Sequence, residues 1–548
     1  ERRRQPTALV VGRNEVAGRK SFNFARKYFE MDRTETFKQK IDLGYTCQGG
    51  ALVMGCAMLD GEGVPGALVK IPLKTMNRHG LIAGATGTGK TKTLQIISEQ
   101  LSENGVPVLL MDIKGDLSGI AQPGTTNKHV EKRHSIMGVP WEGKGTPVEF
   151  LSLSDEKGAR LRATIIEFGP VLLSRILELN DTQSGVVSLA FKYCDDKGIP
   201  LLDLKDFKKV LQYLSNEGKE EIKEDYGAVS STTVSTIMRK IIEIEQQGAD
   251  RFFGEESFNV DDLLRTNSKG QGMISILRLT DIQDRPKLFS TFMLALLAEI
   301  YNTFPEVGDA EKPRLVLFID EAHLIFNEAS KALLNQIETI VRLIRSKGVG
   351  IYFCTQSPSD VPDEILGQLG LKIQHALRAF TAKDRQMINK TAENYPESEF
   401  YDVPELLTSL GMGEALITAL DEKGRPTPLA ATLLRSPMSR MDVLSPPEID
   451  TIINASKLVP FYNREIDRES AFEMLSGRVS RQSAVGSRQS EKAGRQGGME
   501  AGNEEDSSVG DMIEEISKNP MARQIGRTLV SELTRGIFGM LGGGRRRR

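Results

Sequence analysis

A short apolar run, L-I-A (Leu81 to Ala83), passes directly into G-A-T-G-T-G-K-T (Gly84 to Thr91) and then into T-K-T-L-Q-I-I-S-E-Q-L. A strand, a G-x-x-x-x-G-K-T loop and a helix in that order admit few folds. Gly84, Gly87 and Gly89 permit the tight turn that points successive backbone N–H groups at phosphates, and the helix adds the positive end of its dipole. The Lys90 ammonium has the reach for β- and γ-phosphate oxygens, and the Thr91 hydroxyl suits Mg2+. Residues Gly84, Ala85, Thr86, Gly87, Thr88, Gly89, Lys90 and Thr91 are therefore expected to cradle a nucleoside triphosphate.

Hydrolysis needs a metal clamp and a positioned base, and L-V-L-F-I-D-E (Leu315 to Glu321) offers both at the end of an apolar strand. Asp320 would hold Mg2+ through water and Glu321 would polarise the attacking water. A lone D-E pair is also how a buried strand ends at a solvated turn; the loop at Gly84 is what gives this pair meaning. A third apolar strand, G-V-G-I-Y-F-C-T-Q (Gly348 to Gln356), ends in Thr355 and Gln356, and an amide there can sense the γ-phosphate. Arg342 and Arg345 lie three apart on the preceding helical stretch, Lys331 to Arg345. Either suits an arginine finger for a neighbouring subunit's nucleotide, and either suits a solvated helix face.

The 548 residues can bury a large core and are expected to form two or three regions. A net charge of -3 gives no global nucleic-acid signature, although acidic surface elsewhere can mask a basic channel. Cys47, Cys56, Cys194 and Cys354 show no C-x-x-C pairing, which argues against zinc or a disulfide framework and for a reducing cytoplasm. No apolar run approaches the roughly 20 residues that span a bilayer, so a membrane partner is not expected.

Alternating strands and helices predict an α/β fold with a mainly parallel, doubly wound sheet. Residues 1–30 form a basic extension, either a genuine arm or sequence upstream of a domain starting near Met31. A short N-terminal β segment occupies 31–75, the core 76–124 and 270–440, and a mainly helical insertion 125–269. Strands are expected at Val106 to Asp112, in G-M-I-S-I-L-R-L, at Gln374 to Phe380 and at Glu414 to Leu420; Asp112 and Asp116 then sit at the carboxyl edge, where ligands bind. Residues 441–508 read as tail and flexible linker. In 509–548, Ile525, Leu529, Leu533, Ile537 and Leu541 recur at helical spacing, making a C-terminal helical tail that docks on a neighbouring subunit or on a membrane surface.

The motifs N-R-H-G-L-I-A-G-A-T-G-T-G-K-T, V-L-L-M-D-I-K-G-D-L-S-G-I-A, L-F-I-D-E-A-H-L-I-F and V-R-L-I-R-S-K-G-V-G-I-Y-F-C-T-Q-S-P-S-D resemble the HerA/FtsK branch of P-loop ATPases, and most closely the bacterial helicase HerA-like C-terminal-domain proteins. The resemblance runs from about Met31 to Leu444 and returns at R-G-I-F-G near the C-terminus. It implies a RecA-like core, ATP and Mg2+ as cofactors, and a homo-hexameric ring with sites between subunits. By position, Gly84 to Thr91 is Walker A, Asp320 and Glu321 are Walker B, Gln356 is the strand-end sensor and Arg345 the arginine finger. HerA translocases carry a substantial N-terminal β-barrel; only the stretch from Met31 to about Thr75 precedes the core here, a departure that bears on partner docking. Two functions fit: a motor that translocates or remodels DNA, or a regulatory ATPase or scaffold for an effector protein. Reading D-E-A-H (Asp320 to His323) as a two-domain helicase box fails, because the chain turns to linker after Ser436 too soon for a second RecA-like domain, and His323 then reads as a local structural group.

Overall fold

The apolar runs V-L-L-M-D, L-V-L-F-I and V-G-I-Y-F-C-T are buried along their whole length, as strands covered on both faces must be. They lie at the centre of a twelve-stranded sheet in the computed structural model of the chain, which describes residues 33–282, 285–308, 310–326, 331–466 and 468–478. The strands are β1 (Ala51–Leu59), β2 (Glu62–Pro72), β3 (Gly80–Ala83), β4 (Val108–Asp112), β5 (Val148–Ser152), β6 (Ala159–Arg160), β7 (Ile274–Arg278), β8 (Leu315–Ile319), β9 (Val349–Thr355), β10 (Leu371–Gln374), β11 (Glu414–Thr418) and β12 (Ala430–Leu434). Their order is β2-β1-β12-β11-β10-β3-β9-β8-β4-β7-β5-β6. Every pairing from β10 through to β6 is parallel, and every pairing from β2 to β10 is antiparallel.

The pairing registers set the site. Ala83 lies opposite both Gln374 and Thr355, and Ile319 lies opposite Phe353, so the carboxyl ends of β10, β3, β9 and β8 fall on one edge. β9 separates the strand that enters the glycine loop from the strand that carries Asp320 and Glu321.

The molecule divides into two compact units, the first comprising the described residues up to Leu161 with Phe258–Asn463. The sheet belongs to it. Its described residues begin with a helix over 33–44, whose Phe37 and Ile41 are buried, ahead of the expected β segment. That segment is the β1–β2 hairpin, turned by Asp60 and Gly61 at φ 52 and 84, and it joins the main sheet through β12. Gly55 is required there: a Cβ would stand 2.0 Å from the Leu433 carbonyl oxygen.

The second unit comprises Arg162–Ser257 and the described residues from Arg464. It is helical, with Ile165–Ile176, Asp181–Lys197, Leu204–Ser215, Lys219–Asp225 and Ser231–Gln246 around buried Phe207, Tyr193 and Ile237. Buried Asp206 accepts from the Leu202 amide (3.0 Å), the Phe472 amide (2.9 Å) and the Ser470 hydroxyl (2.5 Å), tying the later segment to the earlier one.

Several expectations need correction. The stretch 125–269 is not one insertion: residues before Arg162 stay in the first unit and contribute β5 and β6 to the sheet. The strand expected at Gln374 to Phe380 instead ends at Gln374, because His375 and Ala376 turn onto the glycine loop. Within 441–508, Ser445 and Glu448 form a capping box with Pro446 at the first helical position, producing the helix Pro446–Ala455 where a linker was expected. The basic extension 1–30, the linker beyond 478 and the amphipathic segment 509–548 lie outside the described residues.

The helix Lys90–Glu103 is clamped from behind. Glu99, 1% exposed, accepts from the Met438 amide (2.9 Å), the Ser439 amide (3.1 Å) and the Ser439 hydroxyl (3.1 Å). Burial pushes its carboxyl from the ordinary 4.5 up to about 7, against those hydrogen bonds and the Arg435 charge. A folded group that keeps its proton to about 7 contributes stability that is fully present below about 4.5 and lost as pH rises through about 7. Thermal melts across that window should therefore show stability falling with pH, and Glu99→Gln should flatten the fall; an unchanged slope in the variant would refute the assignment.

Candidate active site

Four buried residues of β3 deliver the chain to Gly84, where φ is 153 and a Cβ would lie 2.5 Å from the Cβ of His375. The loop is held by its neighbours: the Gly84 amide donates to the Thr355 carbonyl (3.2 Å) and the Ala85 amide to the Ala376 carbonyl (2.9 Å). Thr88 closes it internally, its hydroxyl donating to the Ala85 carbonyl at 2.7 Å, while Thr86 and Gly87 stand exposed at the crest. Gly89, at φ 114, caps the helix without a side-chain hydrogen bond, and no acidic residue lies in the first turn. The helix start thus keeps N–H groups and a positive dipole end for an anion.

Lys90 is almost fully buried, with its ammonium donating to the carbonyls of Gly84 (2.6 Å) and Ala85 (3.2 Å). Burial lowers its pKa and the Lys114 charge adds to that, while Glu321 and Asp320 oppose both. The Thr91 hydroxyl donates to Asp116 Oδ2 at 3.1 Å, and Asp116 Oδ1 is buried without a hydrogen-bond partner. The structure separates the carboxylate that ends β4 from the one that follows it. Asp112 is spent on the backbone, accepting from Gly115 (2.7 Å), Asp116 (3.2 Å) and Leu117 (3.2 Å); the turn it folds aims Asp116 at Thr91.

Asp320 and Glu321 are 6% and 5% exposed. Burial, then the neighbouring Glu321 charge, pushes the Asp320 carboxyl up to about 7 against the pull of Lys114. Glu321 sits at φ 46, a left-handed conformation that costs a non-glycine residue on the order of 1–3 kcal/mol. Its carboxylate is ion-paired with Lys114 and lies 3.2 Å from His323 Nδ1, and the next amide, Ala322, donates to the Cys354 carbonyl of β9 (2.9 Å). His323, read from sequence as a local structural group, therefore touches the acid. Burial alone would lower the Lys114 ammonium, but Glu321 and Asp320 outweigh it and hold it above its ordinary value.

Gln356 follows β9 directly and is exposed, one residue beyond the Thr355 carbonyl that receives Gly84. Arg345 is not brought to this edge. It lies exposed in the turn Arg345–Lys347 before β9, so the seven residues of that strand, at about 3.3 Å each, hold it on the order of 20 Å from its own loop. Arg342 is exposed and paired with Glu338 one helical turn away.

Sequence reasoning missed Lys114, the Thr91–Asp116 contact and His375. Lys114 carried a signal, since I-K-G-D follows a strand at the ligand-binding edge. His375 is fully buried, with Nε2 2.9 Å from the Thr93 hydroxyl and its pKa lowered by burial to about 4. Gly84→Ala should thus destabilise the chain by about 1–3 kcal/mol through its φ and the His375 contact, measured by urea unfolding; wild-type stability would contradict the packing described.

A family model described as helicase HerA-like C-terminal matches residues 58–548. The DNA double-strand break repair helicase HerA of Sulfolobus acidocaldarius is 23% identical over 353 residues, covering 64% of this chain and 64% of that protein. The DNA import protein CedB of the same organism is 24% identical over 357 residues, covering 64% of this chain and 51% of its own length. The chain spans just under two thirds of the length of the HerA relative. Among solved structures, the bacterial conjugative coupling protein TrwB aligns at TM-score 0.46 and 14% identity over 74% of this chain and 95% of that one. The matched region begins in β1 and takes in the glycine loop, both acids and the strand-end glutamine, all on a RecA-like P-loop fold. The chain belongs to the helicase HerA-like C-terminal family.

Proposed function

We propose that this chain is an ATP-hydrolysing P-loop enzyme that works as a cytoplasmic homo-hexameric ring and moves or remodels DNA. The observation that carries the reading is the convergence of Lys90, the Thr91–Asp116 pair, Asp320 and Glu321 on one sheet edge. The donors fit Mg2+: hydroxyl and carboxylate oxygens are the hard ligands it takes, and Asp116 Oδ1 is buried with no hydrogen-bond partner. When bound, Mg2+ neutralises charge on the phosphate oxygens. Thr91 and Asp320 would hold it. The amides of Gly84 to Thr91 and the Lys90 ammonium bind and orient the triphosphate.

Glu321 accepts the proton of the attacking water, held in place by Lys114 and His323. Gln356, leaving the strand between the loop and the acids, orients that water. Arg345 acts on a neighbouring subunit's nucleotide, because its distance from its own loop leaves it no role in cis; this is what calls for an oligomer. Four free cysteines suit a reducing compartment, and among the described residues no helix is long and apolar enough to cross a membrane. DNA as the substrate is supported by relatives that carry break-repair helicase and DNA-import names.

Glu321→Gln should bind a fluorescent ATP analogue normally while phosphate release falls by about 10²-fold or more; normal turnover would remove Glu321 as the base. Arg345→Ala alone should be nearly inactive, and mixing it with Glu321→Gln should restore part of the activity, since each supplies what the other lacks. A monomer at every nucleotide concentration on sizing columns would sink the shared site. DNA should stimulate turnover; hydrolysis indifferent to DNA would favour a regulatory or scaffold ATPase acting on an effector protein.

A further inference from the structure

Phe380 is 85% exposed, the largest exposure of any large apolar side chain among the described residues. It does not stand on a loose loop. The Phe380 amide donates to Asp384 Oδ2 at 2.9 Å, the Thr381 amide donates to the same oxygen at 2.8 Å, and Thr381 with Asp384 forms the capping box of the helix Ala382–Ala392. The chain therefore fixes an aromatic ring in water at a cost in hydration and returns no packing for it.

Its surroundings are basic. Arg378, Lys383, Arg385 and Lys390 are all exposed on the same loop and helix, and Asp384, the acid among them, is occupied by the cap. The whole sequence by contrast carries 71 Lys and Arg against 74 Asp and Glu. A ring able to stack, within a cluster of cations, matches the two recurring needs of a single nucleic-acid strand, bases with open faces and a regular run of phosphates.

The platform is also wired to the glycine loop. The Ala376 carbonyl, four residues before Phe380, accepts from the Ala85 amide, and His375 reaches Thr93 on the helix that follows the loop. On the other side, Met387 of the platform helix receives the Ser357 hydroxyl (3.3 Å), next to Gln356. We propose that Arg378 to Arg385 is a contact for single-stranded nucleic acid, with Phe380 stacking on a base and Arg378, Lys383 and Arg385 on phosphates, and that its position follows the occupancy of the glycine loop. The proposal rests on the reading of the chain as a nucleic-acid-handling ATPase.

The test uses the full chain, a non-hydrolysable ATP analogue and a labelled single-stranded oligonucleotide followed by fluorescence anisotropy. Phe380→Ala should weaken binding about tenfold and Phe380→Trp should retain it. The triple variant Arg378→Ala, Lys383→Ala, Arg385→Ala should lower the slope of log affinity against log salt by about 2. ATP turnover without DNA should stay unchanged in Phe380→Ala. Tight binding by the wild type with no loss in either variant would overturn the contact alone, whereas a wild type that binds no oligonucleotide would overturn the motor reading as well. A Phe380→Ala chain whose oligomeric state changes would instead assign the ring to a subunit interface and overturn the proposal.

Discussion

Parallel pairing of β3 with β10 on one side and β9 on the other is the constraint on which the rest of the site depends. Ladder hydrogen bonds fix Ala83 opposite Gln374 and Thr355, so the glycine loop leaves the sheet with a receiving carbonyl on each flank. A slip of one residue in either pairing would turn side chains to the wrong face and remove one of those acceptors. Gln356 inherits its place from the β9 register directly, and Asp320 and Glu321 inherit theirs one strand further along, through the pairing of β8 with β9.

The edge so built concentrates charge that burial opposes. Two carboxylates on successive residues, each about nineteen-twentieths buried, face two ammonium groups, and one carboxylate has its proton affinity raised to about 7. Such an arrangement is expensive for a fold and useful for chemistry, because groups poised near neutrality change state with small changes in their neighbours. The left-handed φ of Glu321 belongs with this: strain is tolerated where surrounding structure over-determines a side chain's position.

Much of this was legible in the sequence, and the unread parts have physical reasons. The glycine loop and the two apolar strands ending in D-E and T-Q were clear because apolar runs of that length bounded by glycines and acids have few other uses. β5 was hidden since V-E-F-L-S carries a charge; Glu149 is tolerated in a buried strand by its 2.9 Å pairing with Arg265, a partner more than a hundred residues away. β12, A-A-T-L-L, has two alanines with little strand preference and is a strand through its neighbours β1 and β11. The helix 33–44 was missed although D-R-T-E (Asp32 to Glu35) carries a capping pattern in the sequence, and the contact of Thr91 with Asp116 needed a turn shaped by Asp112, which spacing does not reveal.

The helix that follows the glycine loop is gripped at both ends of its length: Thr93 meets His375 in front, and Glu99 takes hydrogen bonds from Met438 and Ser439 behind. An element so pinned makes a poor piston. It suits a fixed reference for the site instead, since a shift along its own axis would break the contacts at Thr93 and at Glu99 together.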